Sequence, residues 1–169
     1  MKIMPLLLTS ACVALPLSLF AADNPDASFY KKAAEGGLAE VQMGQLAQDK
    51  SSTQSVKDFG AMMMKDHSAA NDKLKGIADG KGIKLPTSPS VMQMASKGKL
   101  DVLTGNTFDK AYIKGMVKDH QEDIAEFQKE ASGGQDPDAK AFAAATVPTL
   151  KMHLRKIQEI ASAQGVKVD

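Results

Sequence analysis

The chain has 169 residues, 43% hydrophobic and 24% charged, with 13 Gly, 7 Pro, no Trp, one Cys, three His and ten Met. This is the composition of one ordinary globular domain and excludes disordered, collagen-like and disulfide-framework classes. Lys plus Arg number 21 against 20 Asp plus Glu, so net charge gives no support for nucleic-acid binding.

The first 21 residues read as a secretory signal peptide: a positive Met1-Lys2 start, an apolar run from Leu6 to Phe20, and a small-residue exit at Ala21-Ala22. Residues 22–169 then form the domain, without Cys and with 20 acidic against 20 basic side chains. The expected location is the periplasm. Thr9-Ser10-Ala11-Cys12 loosely matches a lipid-attachment motif, but the apolar run continues past Cys12, which favours the unanchored form. No later stretch has the length of a membrane span.

Four segments carry apolar residues at steps of three and four, the period of amphipathic helices. They run over 26–50 (Phe29, Ala33, Glu40, Met43, Ala47), 53–79 (Val56, Phe59, Met63, His67, Leu74), 108–132 (Tyr112, Met116, His120, Phe127) and 137–163 (Phe142, Leu150, His153, Ile157). Ser51-Ser52-Thr53 separates the first pair and Ser132-Gly133-Gly134-Gln135-Asp136-Pro137 the second, turns short enough to make two antiparallel hairpins. Pro148 lies inside the last segment, and its missing N–H predicts a kink there. Between the hairpins, residues 80–107 hold Pro86, Pro89, Gly98 and Gly105; Ser88 followed by Pro89 predicts the cap and first residue of a short helix over 91–103. A helix of 25 residues is about 38 Å long, and this connection can run back along it. The fold predicted is all-α, a ferritin-like four-helix bundle with a long crossover carrying a short extra helix.

Phe59-x3-Met63-x-Lys65-Asp66-His67 repeats as Tyr112-x3-Met116-x-Lys118-Asp119-His120, as in bundles that build a central site from equivalent positions. Glu40, His67, His120 and His153 take core-phase positions, one on each long helix. Counted from the turns, the levels within a hairpin differ by three or four residues, about 5 Å. Imidazole and carboxylate converging on one layer define a candidate site for one divalent metal, with zinc as the first expectation and copper or iron as alternatives. Asp66 and Asp119 point about 100° away from the His beside them and can reach only a His on another helix, in a supporting role. Met63 and Met116 precede a His by four residues and share its face, so they support the site or simply fill the core. Asn71 and Asp123 lie within one turn of a His.

Phe29-x3-Ala33-Ala34-x-Gly36, Glu40-Val41-x2-Gly44-x-Leu46-Ala47, Val56-Lys57-x-Phe59-Gly60, Asp66-His67-x3-Asn71, Phe108-Asp109-x2-Tyr112, Met116-Val117-x-Asp119-His120 and Leu150-x2-His153-Leu154 together resemble the bacterial domain-of-unknown-function family 4142, over about residues 26–162. The resemblance implies an exported, ferritin-like helical bundle and carries over no residue roles. The chain departs from ferritins in lacking their Glu-x2-His pairs: Met64, Val117 and Leu150 stand three residues before the His residues. That argues against a carboxylate-bridged di-iron centre. The function expected is metal handling or stress protection through one core metal. The alternative is a non-catalytic interaction or envelope-structural module, a homo-oligomer or the partner of another envelope protein, whose His/Glu layer is only core architecture. No nucleophile motif, phosphate loop or dinucleotide fingerprint occurs, so an enzyme is the weaker reading and would have to be a metalloenzyme.

Overall fold

The computed structural model describes residues 24–168. The signal-peptide segment and Cys12 lie outside them. Five helices follow in order: α1 (Ala27–Lys50), α2 (Gln54–Gly80), α3 (Val91–Asp101), α4 (Gly105–Gly133) and α5 (Pro137–Ala163). No strand occurs among the described residues, and none of the helices is long and apolar enough to cross a membrane.

The two hairpins, α1 with α2 and α4 with α5, are tied to each other at both ends by buried carboxylates. At one end Asp26 accepts from the backbone N–H of Gln135 and Asp136. Asp136 in turn accepts from Asn24 and the Tyr30 hydroxyl and pairs with Lys81 at 3.0 Å. At the other end Asp109 accepts from the hydroxyls of Ser52 and Thr53 at 2.9 and 2.6 Å. The crossover leaves α2 at the Asp136 end and reaches the opposite end, where Lys50 grips the Asp101 carbonyl at 2.8 Å. Helices α2 and α4 are therefore parallel, the single-crossover arrangement of ferritin-like bundles.

Two elements differ from expectation. The cap of α3 is Ser90, not Ser88: the Ser90 hydroxyl accepts from the Gln93 backbone N–H while the Gln93 side chain accepts from the Ser90 backbone, a reciprocal capping box. Helix α4 begins at Gly105, three residues early, on a glycine with φ of +55°. Helix α5 runs unbroken through Pro148, which is exposed, so the carbonyl that loses its partner is on the water side.

The hairpin α1/α2 is drawn together by glycine. A methyl group on Gly44 would lie 2.5 Å from the carbonyl oxygen of Gly60, and one on Gly60 would lie 2.7 Å from that of Gly44. Only two facing glycines allow the backbones this close.

The apolar core falls into two clusters. One centres on Phe59, Met63, Phe108, Tyr112, Met116 and Ile157, the other on Phe29, Tyr30, Leu74, Phe127, Phe142 and Leu150. Along every long helix the boundary between them falls at the same place, and there stand Glu40, His67, His120 and His153, all buried. The polar layer inferred from periodicity is thus the mid-plane of the bundle.

Candidate metal centre

Helices α2, α4 and α5 each deliver one imidazole to the mid-plane. The ring centroids of His67, His120 and His153 are 5.9, 5.4 and 5.4 Å apart, and one ligand nitrogen from each lies within 4.8 Å of the other two. Phe59 packs edge-on against His120 and His153 from above, a wall that the sequence pattern placed in the core but did not connect to the site.

Hydrogen bonds fix the tautomers of His120 and His153. His120 Nδ1–H donates to the Met116 carbonyl oxygen at 2.9 Å, which leaves its lone pair on Nε2. His153 Nε2–H donates to Asp66 Oδ2 at 3.0 Å, which leaves its lone pair on Nδ1. His120 Nε2, His153 Nδ1 and His67 Nε2 are all buried and without a hydrogen-bond partner. A neutral imidazole whose second nitrogen is held by a carbonyl or carboxylate is the form that binds metal.

The rings are neutral. Burial drives the His67 pKa down to about 3, helped by the neighbouring His120 and His153, and drives His120 down to about 4, helped by His153 and opposed by its bond to Met116. His153 is also lowered by burial, against the pull of Asp66. Three buried ring nitrogens converge without a hydrogen-bond partner, two of them with a free lone pair, at a cost of about 1–3 kcal/mol for each unsatisfied group, which a cation at their centre would remove. The donor set fits a metal: three imidazoles match zinc, copper or iron sites with a further position open.

Not every residue expected in the site is there. Glu40 lies at the right level but is not a member of the group within mutual ligand distance. It faces Asp119 and Asp123 instead, and burial together with their charges pushes its pKa well up. Asp66 takes the position that its helix geometry allows, accepting from a His across the hairpin interface. Asp119 contacts no imidazole by hydrogen bond; burial and Glu122 raise its pKa to about 6, against Lys118. Met63 and Met116 are fully buried in the Phe59 cluster, one turn above His67 and His120. A cavity of about 290 Å³ reaches the triad at His67, with Glu35, Glu122, Asp123 and Glu126 along its wall and Lys32 paired to Glu126. Carboxylates lining an approach raise the local concentration of cations.

A ferritin-like bundle with a buried trihistidine cluster is the class this geometry defines. The chain belongs to the bacterial family described as domain of unknown function 4142, whose model matches residues 18–160. Similar solved structures include a DUF305 protein of Streptomyces coelicolor described as secreted, at 17% identity and TM-score 0.74, covering 88% of this chain and 98% of that one. A DUF305 fragment of Deinococcus radiodurans has 12% identity and TM-score 0.72, covering 82% and 96%. CopM in its Cu(I)-bound form has 13% identity and TM-score 0.68, with the same coverage, and is also similar in Ag- and Cu(II)-bound forms. At these identities the likeness is one of fold. No curated protein matches the chain significantly.

Proposed function

We propose that the protein binds one transition-metal ion through His67, His120 and His153 and serves in metal handling in an exported compartment. The observation that carries this reading is the set of three buried, unpartnered ring nitrogens turned toward one another. If the polar layer were only core architecture, those nitrogens would have partners, as buried polar atoms generally do. Asp66 holds His153 in the ligating tautomer, and the Met116 carbonyl does the same for His120.

Copper is the preferred ion. With Glu40 outside the group the donors are three neutral imidazoles, which suit copper as well as zinc, and a similar fold carries Cu(I), Cu(II) and Ag in CopM. Zinc, the first expectation from donor type, has no such support. Export rests on the signal-like first 21 residues.

The test is metal analysis of untagged protein after anaerobic exposure to micromolar Cu(I), and separately to Zn(II), followed by dialysis. One equivalent of copper, lost in His120→Ala, is the expected result. No retained metal, with an unchanged melting temperature on metal addition, overturns the proposal.

A further inference from the structure

Glu40 has a place of its own. It is 4% exposed, and its Oε2 is buried without a hydrogen-bond partner. The residue lines a cavity of about 280 Å³ between α1 and α4, roofed by Ser90, Met92 and Gln93 of the α3 region. Asp119 and Asp123, one helical turn apart on α4, line the same cavity. The rim carries one pair of opposite charges, Lys118 with Glu122 at 3.6 Å. Gly36, Ser90, Gln93, Glu122 and Asp123 are shared with the cavity at His67, so the two spaces adjoin.

Three carboxyl groups from two helices thus meet around a polar space while one of them has no donor. We propose that Glu40, Asp119 and Asp123 form a second cation site, separate from the trihistidine cluster, that takes a hydrated divalent cation. The donors are all oxygen, which selects Mg²⁺- or Mn²⁺-type ions and disfavours Cu(I). Their spacing says that the ion keeps waters. Direct bonds to a bare ion are about 2.0–2.6 Å long, whereas among the described residues only the three His bring one ligand atom each within 4.8 Å. A cavity of this size has room for several waters at about 30 Å³ apiece. Glu40 enters from α1 and the two Asp from α4, so an ion held between them also joins the two hairpins at mid-height.

Mn²⁺ is the probe, because the free aqua ion gives a six-line paramagnetic resonance signal that is lost on binding. Titration of the purified protein should show one Mn²⁺ site. In Glu40→Gln/Asp123→Asn that site weakens by about tenfold or more, while in His120→Ala it stays within about twofold of wild type. Circular dichroism confirms that each variant is folded; if the double variant is not, Asp123→Asn alone should weaken the site in the same direction. Absence of a wild-type site up to about 1 mM Mn²⁺ overturns the proposal. So does binding lost in both sets of variants, or in neither. The trihistidine reading is judged on copper and is untouched by any of these outcomes.

Discussion

Replacing His67 by Leu separates a metal site from ordinary core packing. In a satisfied core a His→Leu change removes hydrogen bonds and destabilises. Here His67 Nε2 is buried with no partner, so leucine, of similar volume, removes an unsatisfied buried polar atom and should stabilise the metal-free protein by about 1–3 kcal/mol at pH 7. At this chain length that is about 2–4 °C in Tm per kcal/mol.

The pH dependence sharpens the test. The folded pKa of His67 is lowered to about 3, against about 6.5 in the unfolded chain. The contribution of the neutral ring is therefore complete above pH 6.5 and is lost as the pH falls from there toward 3, because only the unfolded chain takes up the proton. At pH 5 the wild-type protein has lost about 2 kcal/mol through this residue, so the advantage of the leucine variant grows by that amount on going from pH 7 to pH 5. At pH 7 saturating copper offsets this advantage. At 100 times its Kd a ligand stabilises the folded state by about 2.7 kcal/mol, which the wild type gains and the variant does not. Urea melts at pH 7 and pH 5, with and without Cu(I), read all of this. A variant less stable than wild type by about 1 kcal/mol or more, combined with a wild type indifferent to copper, refutes the reasoning.

Asp66→Asn keeps an acceptor for His153 but removes its charge; copper affinity should fall about 10- to 100-fold, with little change in Tm, as competition with a chromophoric chelator would report. Gly44→Ala forces a methyl group against the Gly60 carbonyl and should cost about 1–3 kcal/mol in urea denaturation. Gly115→Ala meets nothing within 4 Å in the middle of α4, and should instead stabilise by about 1 kcal/mol.

How much was legible in the sequence follows from what periodicity measures. Steps of three and four locate helices and the level of a residue along the bundle, and the mid-plane of three His and Glu40 came from that alone. They give direction around the helix less well, since a strict seven-residue repeat drifts by about 20° per heptad on a straight helix. Glu40 accordingly has the right level and faces the α4 carboxylates instead of the imidazoles. The cap of α3 was misplaced because Ser88-Pro89 and Ser90-x2-Gln93 are both valid starts. Only the latter also uses the side chain of Gln93 to satisfy Ser90. The tautomers of His120 and His153 rest on a backbone carbonyl four residues away and a carboxylate 87 positions away. Residue order restricts Asp66 to a His on another helix but does not say which one, and it gives no sign of the Met116 carbonyl contact.

Helix α3 differs from the other four in having no buried residue; Val91, Met92 and Val102 are about 80% exposed. Its hold on the bundle is the packing of the partly buried Leu100 against the Phe59 cluster, the Lys50–Asp101 contact and its edge on α1 and α4. With no fully buried residue, detaching it exposes less apolar surface than opening any other helix, so its local opening free energy should lie below that of global unfolding. Amide hydrogens of residues 91–101 should therefore exchange with solvent well before those of α2 and α4. Such opening would connect the cavities beneath Ser90 and Gln93 with solvent while both hairpins stay folded, so exchange at the mid-plane need not wait for the bundle to loosen.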